Sequence, residues 1–334
     1  MDWGGIFSSA LSDMLGPSAA IYALAAVGLN LHFGYTGLLN FGQVAFMLVG
    51  SYGVGVSVAK YGLPLSVSVL VAILVSVVLA LLLGVPTLRL RGDYLAIATI
   101  AVGEILRLFV NSSYFEPLTG GSLGLTDPAL AGSGPQRLPN QGFTELSPFV
   151  GGKTYDFGPL HFLGSDLWVM VVTWALVILA CVLMFLLMRS PWGRVLRSVR
   201  EDELAARSLG KNVFSFKMQS LVLGGVIGGL AGVMYTMNIP GQVPTNFMPE
   251  ITFYLWVIVI LGGAGRIVGP VIGALIFWFV FSFLGSFLTD LFPGANANVG
   301  AVRIAVVGVI LMLLMVFRPA GILGNKEEMR LEVR

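Results

Sequence analysis

Charge is what this sequence has least of. Asp, Glu, Lys and Arg together make up 11% of its 334 residues, against roughly 25% in an ordinary soluble domain. A soluble chain of this length cannot cover its surface with so few charges. There is one cysteine, Cys181, which excludes a disulfide within the chain and a multi-cysteine metal site. It lies in an apolar run and reads as a small buried thiol. There are two histidines, His32 and His161, and neither sits at metal-ligand spacing. No nucleophile stands beside a base at plausible spacing, so no catalytic residue, no metal and no enzyme activity are expected. Basic residues are not interleaved with exposed aromatics as a nucleic-acid surface requires. The opening Met1-Asp-Trp-Gly-Gly lacks a basic n-region, so no cleavable signal peptide is expected.

What is present is oil. Hydrophobic residues are 56% of the chain and the mean hydropathy is +0.89. They occur in long uninterrupted runs, which makes this an all-α, polytopic membrane protein. The 43 glycines fit that class, because small residues let membrane helices approach closely. Residues 3–15 are weakly amphipathic and suit the membrane surface. Spans are then expected near 17–33, 37–59, 65–86, 94–110, 167–188, 213–236, 251–264, 267–289 and 299–317. That is about nine, with eight to ten allowed, in one domain covering 1–334. The early count is the least constrained, because His32-Phe-Gly-Tyr-Thr-Gly37 marks a break that is either a turn or an interruption within the bilayer. Residues 111–166 differ in kind. They are rich in Gly, Pro, Ser and Thr and read as a water-exposed loop or cap.

One stretch interrupts the oil. Residues 189–212 carry six of the nineteen basic residues and the adjacent acids Glu201, Asp202 and Glu203. Basic loops face the cytoplasm. Placing this segment inside also brings Arg89, Arg91, Arg266 and the tail (Arg318, Lys326, Arg330, Arg334) inside. The acids Glu116, Asp127, Glu145, Asp156, Asp166, Glu250 and Asp290 then fall outside, as does the 111–166 cap. The C-terminus is expected in the cytoplasm. Within the charged stretch, Pro191 stops the preceding helix. Glu201 to Leu209 reads as a short helix with Gly210 as its C-cap, its acids early and Lys211 late as the helix dipole prefers. The plain alternative is an ordinary basic loop.

A few polar groups sit in the oil. Asn40 and Gln43 lie three apart on one helix face, as do Glu104 and Arg107. Charges at membrane depth face a cavity, the bundle interior or each other. Glu104 and Arg107 therefore form either a mutually neutralised pair or a gate. Gly34-x-x-Gly37 with Asn40-Phe-Gly-Gln43 reads either as close helix packing or as a helix break lining a substrate path. His32 reads as a satisfied histidine rather than a proton carrier. Gly262-Gly-Ala-Gly265 is a tight turn and not a phosphate loop, since it lacks the Lys-Ser/Thr ending and the preceding strand.

Leu204-Ala-Ala-Arg-Ser-Leu-Gly210 resembles the Glu-Ala-Ala-x-x-x-Gly loop of ABC importer permeases, with Leu204 in place of the Glu. Further stretches resemble the branched-chain amino acid permease family of the LivM type. They are Gly34-Tyr-Thr-Gly-Leu-Leu-Asn-Phe-Gly-Gln43, Leu88-Arg-Leu-Arg-Gly-Asp-Tyr-Leu-Ala-Ile-Ala-Thr99, Thr119-Gly-Gly-Ser-Leu-Gly-Leu125, Leu261-Gly-Gly-Ala-Gly-Arg-Ile-Val-Gly-Pro-Val-Ile-Gly-Ala274 and Phe317-Arg-Pro-Ala-Gly-Ile-Leu-Gly324. The resemblance implies a permease subunit in a bacterial inner membrane. It implies as partners a second, LivH-like permease, two cytoplasmic ABC ATPase subunits that bind the ATP, and an extracytoplasmic solute-binding protein docking on the acidic outer loops. No cofactor is implied for this chain itself, and its lipid is that of the membrane. Glu203, Leu204, Ala205, Ala206 and Gly210 would couple to the ATPase, with Ala205 and Ala206 small enough for close docking. Asn40, Gln43, Glu104 and Arg107 would line the path. Urea or short amides are the alternative cargo. An ion-coupled secondary carrier is a different class, and it lacks the cluster of embedded acids that an ion site needs.

Overall fold

A computed structural model describes residues 3–90, 92–126, 138–158, 160–239, 241–291, 300–302, 304–306, 308–309, 312–313 and 321–323. Its helices in chain order are α1 (Trp3–Leu15), α2 (Pro17–Asn30), α3 (Gln43–Ala59), α4 (Leu65–Thr87), α5 (Gly92–Asn111), α6 (Glu116–Thr119) and α7 (Pro139–Glu145). After the strands β1 (Thr154–Phe157) and β2 (Leu160–Leu163) come α8 (Gly164–Arg189), α9 (Pro191–Glu201), α10 (Glu203–Ser208), α11 (Val213–Asn238), α12 (Glu250–Gly262) and α13 (Gly269–Leu291).

Among the described residues, α4, α8, α11, α13 and the stretch Pro244–Gly262 are long and apolar enough to cross a membrane. Two bent pairs raise the number to seven: Trp3–Leu15 with Pro17–Tyr35, bent by 41°, and Gly92–Asn111 with Ser113–Thr119, bent by 57°. The chain is therefore a polytopic helical membrane protein. The expected span 37–59 is shorter than the pattern suggested, because α3 begins only at Gln43 and has 17 residues. At 1.5 Å per residue that is about 26 Å, against about 30 Å of hydrocarbon. The expected span 299–317 lies about half outside the described residues, and its described positions are helical. The surface helix expected at 3–15 instead packs along α13. Trp3 meets Phe287 and Phe7 meets Phe279 edge-on, and Ser282 donates to Asp13.

The centre of the bundle is α11, which lies against α2, α3 and α4. In its most apolar window 72% of residues are buried, compared with 28% in α8. Glycine makes this possible. A Cβ on Gly232 would stand 1.9 Å from the Met47 carbonyl, and one on Gly50 would stand 2.1 Å from the Gly229 carbonyl. The backbones of α3 and α11 are in contact, and no other residue fits between them. The peripheral helices α4 and α8 turn rows of large apolar side chains outward, among them Leu70, Leu74, Leu82, Ile178, Leu179 and Leu186. In water this would be an aggregation surface, but in a bilayer it is the ordinary exterior.

In the stretch expected as a loop or cap, the described residues are folded. After α6, glycines with positive φ at 120, 121 and 124 turn the chain so that Leu125 pairs with Gln242 through two backbone bonds. This ties the cap to the connection before α12. A hairpin follows, with Thr154 opposite Leu163 and Phe157 opposite Leu160. Trp168, at the start of α8, donates its indole N–H to the Phe143 carbonyl in α7.

Candidate functional sites: an exposed short helix and a buried helix break

The charged stretch forms two helices where one was expected. Ser190 is extended and Pro191 occupies the first turn of α9, where its missing N–H costs nothing. The chain then breaks at Asp202. Its carboxylate accepts from the N–H groups of Leu204 (2.8 Å) and Ala205 (3.0 Å), an N-cap that starts α10. Gly210, at φ +76°, ends the segment in the left-handed region. Six residues are too few for a stable isolated helix, so α10 is held from outside. Ala206 is buried against Val199 and Val213. Glu203 faces Lys217 on α11 as well as Arg207, 2.6 Å away.

This arrangement sorts the residues singled out in the sequence. Ala206 faces the protein, and Glu203 is tied down by two cations. Leu204 and Leu209 are the outward side chains, 73% and 77% exposed, and Ala205 lies beside them on the exposed surface. The residue that replaces the Glu of the resembled loop is thus an apolar knob. Gly210 has open space around it; its requirement is conformational.

The second site is the break between α2 and α3. The helix widens into a π turn at Leu31–Tyr35, and Gly37 takes φ +73°. The amides freed by the break find partners. The Leu38 N–H donates to the His32 carbonyl (2.8 Å), that of Phe41 to Thr99 Oγ1 (3.0 Å) and that of Val44 to Thr252 Oγ1 (3.1 Å). Asn40 and Gln43 are both fully buried and lie together, but not on the one helix face their spacing suggested: Asn40 sits in the unwound stretch and only Gln43 opens α3. The Asn40 amide donates to His32 Nδ1 (3.0 Å) and to Gln43 Oε1 (3.1 Å), while its oxygen accepts from the Gly42 N–H (2.8 Å). Gln43 in turn donates to the carbonyls of Ala25 and Gly224. With Nδ1 accepting, His32 carries its proton on Nε2, which faces the Leu221 carbonyl at 3.2 Å. Every strong donor in this cluster is already committed to the protein.

Glu104 and Arg107 lie elsewhere, on a half-exposed face of α5. They form a two-pronged pair, with Arg107 Nε and Nη2 at 2.9 and 2.5 Å from the two Glu104 oxygens. They do not join Asn40 and Gln43.

The two sites are linked through Arg200, which the sequence reading did not single out, and through Asn30 beside the expected break. The Arg200 guanidinium, from the end of α9, donates to the Gly34 carbonyl at 2.6 Å, inside the π turn. Asn30 bridges to the turn between α12 and α13, donating to the Arg266 carbonyl and accepting from the Gly265 N–H, each at 2.9 Å. A Cβ on Gly34 would stand 2.3 Å from the Gly265 nitrogen. The glycine motifs at 34–43 and 261–274, far apart in sequence, therefore pack on each other. The only sequence signal for Arg200 was its place in the basic stretch.

A broken, polar-lined helix in a membrane bundle, joined to an exposed capped helix at one end, is the architecture of a multi-pass transport protein. The chain belongs to the family described as branched-chain amino acid transport system / permease component, which it matches over residues 14–317. It is 34% identical over 251 residues to the high-affinity branched-chain amino acid transport system permease protein LivM of Salmonella typhimurium, and equally to that of Escherichia coli. Each of these alignments covers 73% of this chain and 57% of the relative, so the chain spans a little over half the length of these two proteins. It is 25% identical over 347 residues to a probable branched-chain amino acid transport permease protein LivM of Methanocaldococcus jannaschii, covering 92% of this chain and 91% of that one.

Proposed function

We propose that the chain is a membrane-spanning permease subunit of an ABC importer that carries leucine, isoleucine and valine across a bacterial inner membrane. The observation that carries the coupling role is α10, a short helix fixed from beneath by Asp202, Ala206 and Glu203 with Leu204 and Leu209 turned outward. Exposed leucines on a short, fixed helix suit insertion into a groove on a soluble ATPase. On this reading the C-terminus and α9–α10 are cytoplasmic. Two ATPase subunits bind the ATP, a LivH-like permease completes the pore, and a binding protein delivers the solute to the folded cap at 111–166. This chain needs no cofactor of its own. Leu204, Ala205 and Gly210 shape the docking face, while Glu203 and Ala206 hold it. Asn40 and Gln43 serve the path by keeping the break open, and Glu104 with Arg107 stabilise one wall of the bundle.

The test is purification of the complex from its native membrane, followed by reconstitution in vesicles. The wild-type chain brings ATPase subunits with it and supports ATP-dependent uptake of branched-chain amino acids. Leu204→Asp/Leu209→Asp leaves the permease folded but strips the ATPases from it. A chain that purifies alone and transports without ATP would refute the proposal.

A further inference from the structure

A cavity of about 670 Å³ opens between the end of α8, α9, the π turn and the α12–α13 turn. Four arginines line it, Arg189, Arg197, Arg200 and Arg266, and among the described residues no acid does. The ion pairs described at this end, Glu203 with Arg207 and with Lys217, involve none of the four. Four guanidinium groups therefore share this space with no counter-charge among the described residues. Their own contacts use few of their donors. Arg197 donates once to the Met188 carbonyl (3.1 Å) and Arg200 once to that of Gly34 (2.6 Å). Arg189 lies over the Phe185 ring at 4.0 Å. Each guanidinium has five N–H donors, so most remain free for a ligand.

We propose that this cavity holds the headgroup of an anionic phospholipid at the membrane surface. Three features select that ligand. Guanidinium groups match phosphate oxygens in two-pronged geometry. A zwitterionic solute would leave most of the four charges unanswered. The cavity wall is also partly apolar and continues onto the outer face of α8. Ile178, Val182, Phe185 and Arg189 follow one another at intervals of four, three and four, which is one stripe of a helix. The first three are exposed. An acyl chain lies along that stripe while its phosphate sits among the arginines, as basic pockets between membrane helices bind acidic lipids. The bound lipid joins α8, α9 and the π turn at one point. The inference holds whatever solute the protein carries.

The test uses the full chain with whatever subunits travel with it, extracted in mild detergent, with retained phospholipid counted by native mass spectrometry. Phosphatidylglycerol is expected to stay bound while phosphatidylcholine exchanges away. In phosphatidylcholine nanodiscs doped with phosphatidylglycerol, Arg266→Gln weakens retention roughly fivefold, and Arg197→Gln/Arg266→Gln about 25-fold, one surface arginine contributing about a factor of five. Arg266→Gln alone guards against misfolding, since no partner for its guanidinium is described. Phosphatidylglycerol raises the melting temperature of the wild type, and millimolar inorganic phosphate does not. Equal retention by wild type and Arg266→Gln overturns the proposal. So does full stabilisation by inorganic phosphate, which makes this a free-anion site, or a partner subunit covering the α8 stripe with no lipid beneath it.

Discussion

At the scale of single residues, the polar groups in this membrane protein divide by whether their hydrogen-bonding capacity is already used. Asn40 donates both amide hydrogens and accepts a backbone N–H. Its removal orphans His32, Gln43 and Gly42 together, and an unsatisfied buried group costs roughly 1–3 kcal/mol. That Asn40 and Gln43 belong together was legible in the sequence, but the shared helix face was not the reason, since Asn40 lies in the unwound stretch before α3. The partner that Asn40 finds in His32 was not legible, because the π turn shifts the helical phase between 31 and 40. Glu104 and Arg107 were legible as a pair for the opposite reason: they sit on one uninterrupted helix, where spacing alone sets the geometry. Removing one member of such a pair leaves a lone charge near lipid, and removing both does not. Glu104→Leu and Arg107→Leu are each expected to lower the melting temperature of the detergent-solubilised protein, by roughly 2–4 kcal/mol of stability. The double variant recovers most of that loss. Additive losses in the double-mutant cycle would mean that the two residues act separately.

At the scale of elements, the helices were read from apolar run length, and the glycines decide how they fit. Run length located α4, α8, α11 and α13 to within a few residues, because a buried or lipid-facing helix needs nothing more than continuous oil. It misjudged α3, whose apolar stretch begins six residues before its helix does, since the intervening chain is unwound and held by Thr99 and Thr252 from other elements. It also missed the cap between α9 and α10, because the signal at Asp202 lay hidden among neighbouring acids. Hydropathy cannot say which of the 43 glycines are needed, and geometry can. A methyl at Gly232 would stand 1.9 Å from a carbonyl, while one at Gly142 meets nothing within 4 Å. Gly232→Ala is expected to force α11 off α3 and lower stability by about 1–3 kcal/mol, as overpacking does. Gly142→Ala, in the short helix α7, is expected to be neutral or to gain up to about 1 kcal/mol through lower unfolded-state entropy. Thermal unfolding of both variants by size-exclusion chromatography checks the contrast. Equal melting points would mean that α3 and α11 are not in close contact.

At the scale of the whole molecule, three stretches that are separate in sequence converge: the π turn at 31–35, the glycine turn at 262–265 and the end of α9. Nothing in a linear reading places them together, because a membrane bundle of hydrophobic runs fits many helix arrangements and only side-chain contacts choose one. The contact that joins the α9–α10 segment to the helix break is Arg200 on the Gly34 carbonyl. If α10 receives force from an ATPase, the rigid pair α9–α10 moves as a unit, and Arg200 is the described hydrogen bond through which that motion reaches the break. This separates two defects that an uptake assay alone would confuse. On the proposed reading, Leu204→Asp/Leu209→Asp is expected to lose the ATPase subunits and with them both hydrolysis and uptake. Arg200→Met keeps the length and the apolar stem but removes the donor, leaving α10 and its exposed leucines untouched. It is expected to co-purify with the ATPases at wild-type stoichiometry and to hydrolyse ATP at near wild-type rate. Its uptake per ATP should fall about tenfold, as the loss of one charge-assisted hydrogen bond of roughly 1.5–3 kcal/mol allows. Arg200→Lys, which keeps a single donor at similar reach, should restore part of the coupling. Loss of ATPase co-purification in Arg200→Met would make the residue part of the docking surface, and unchanged uptake per ATP would mean that force reaches the break by another route.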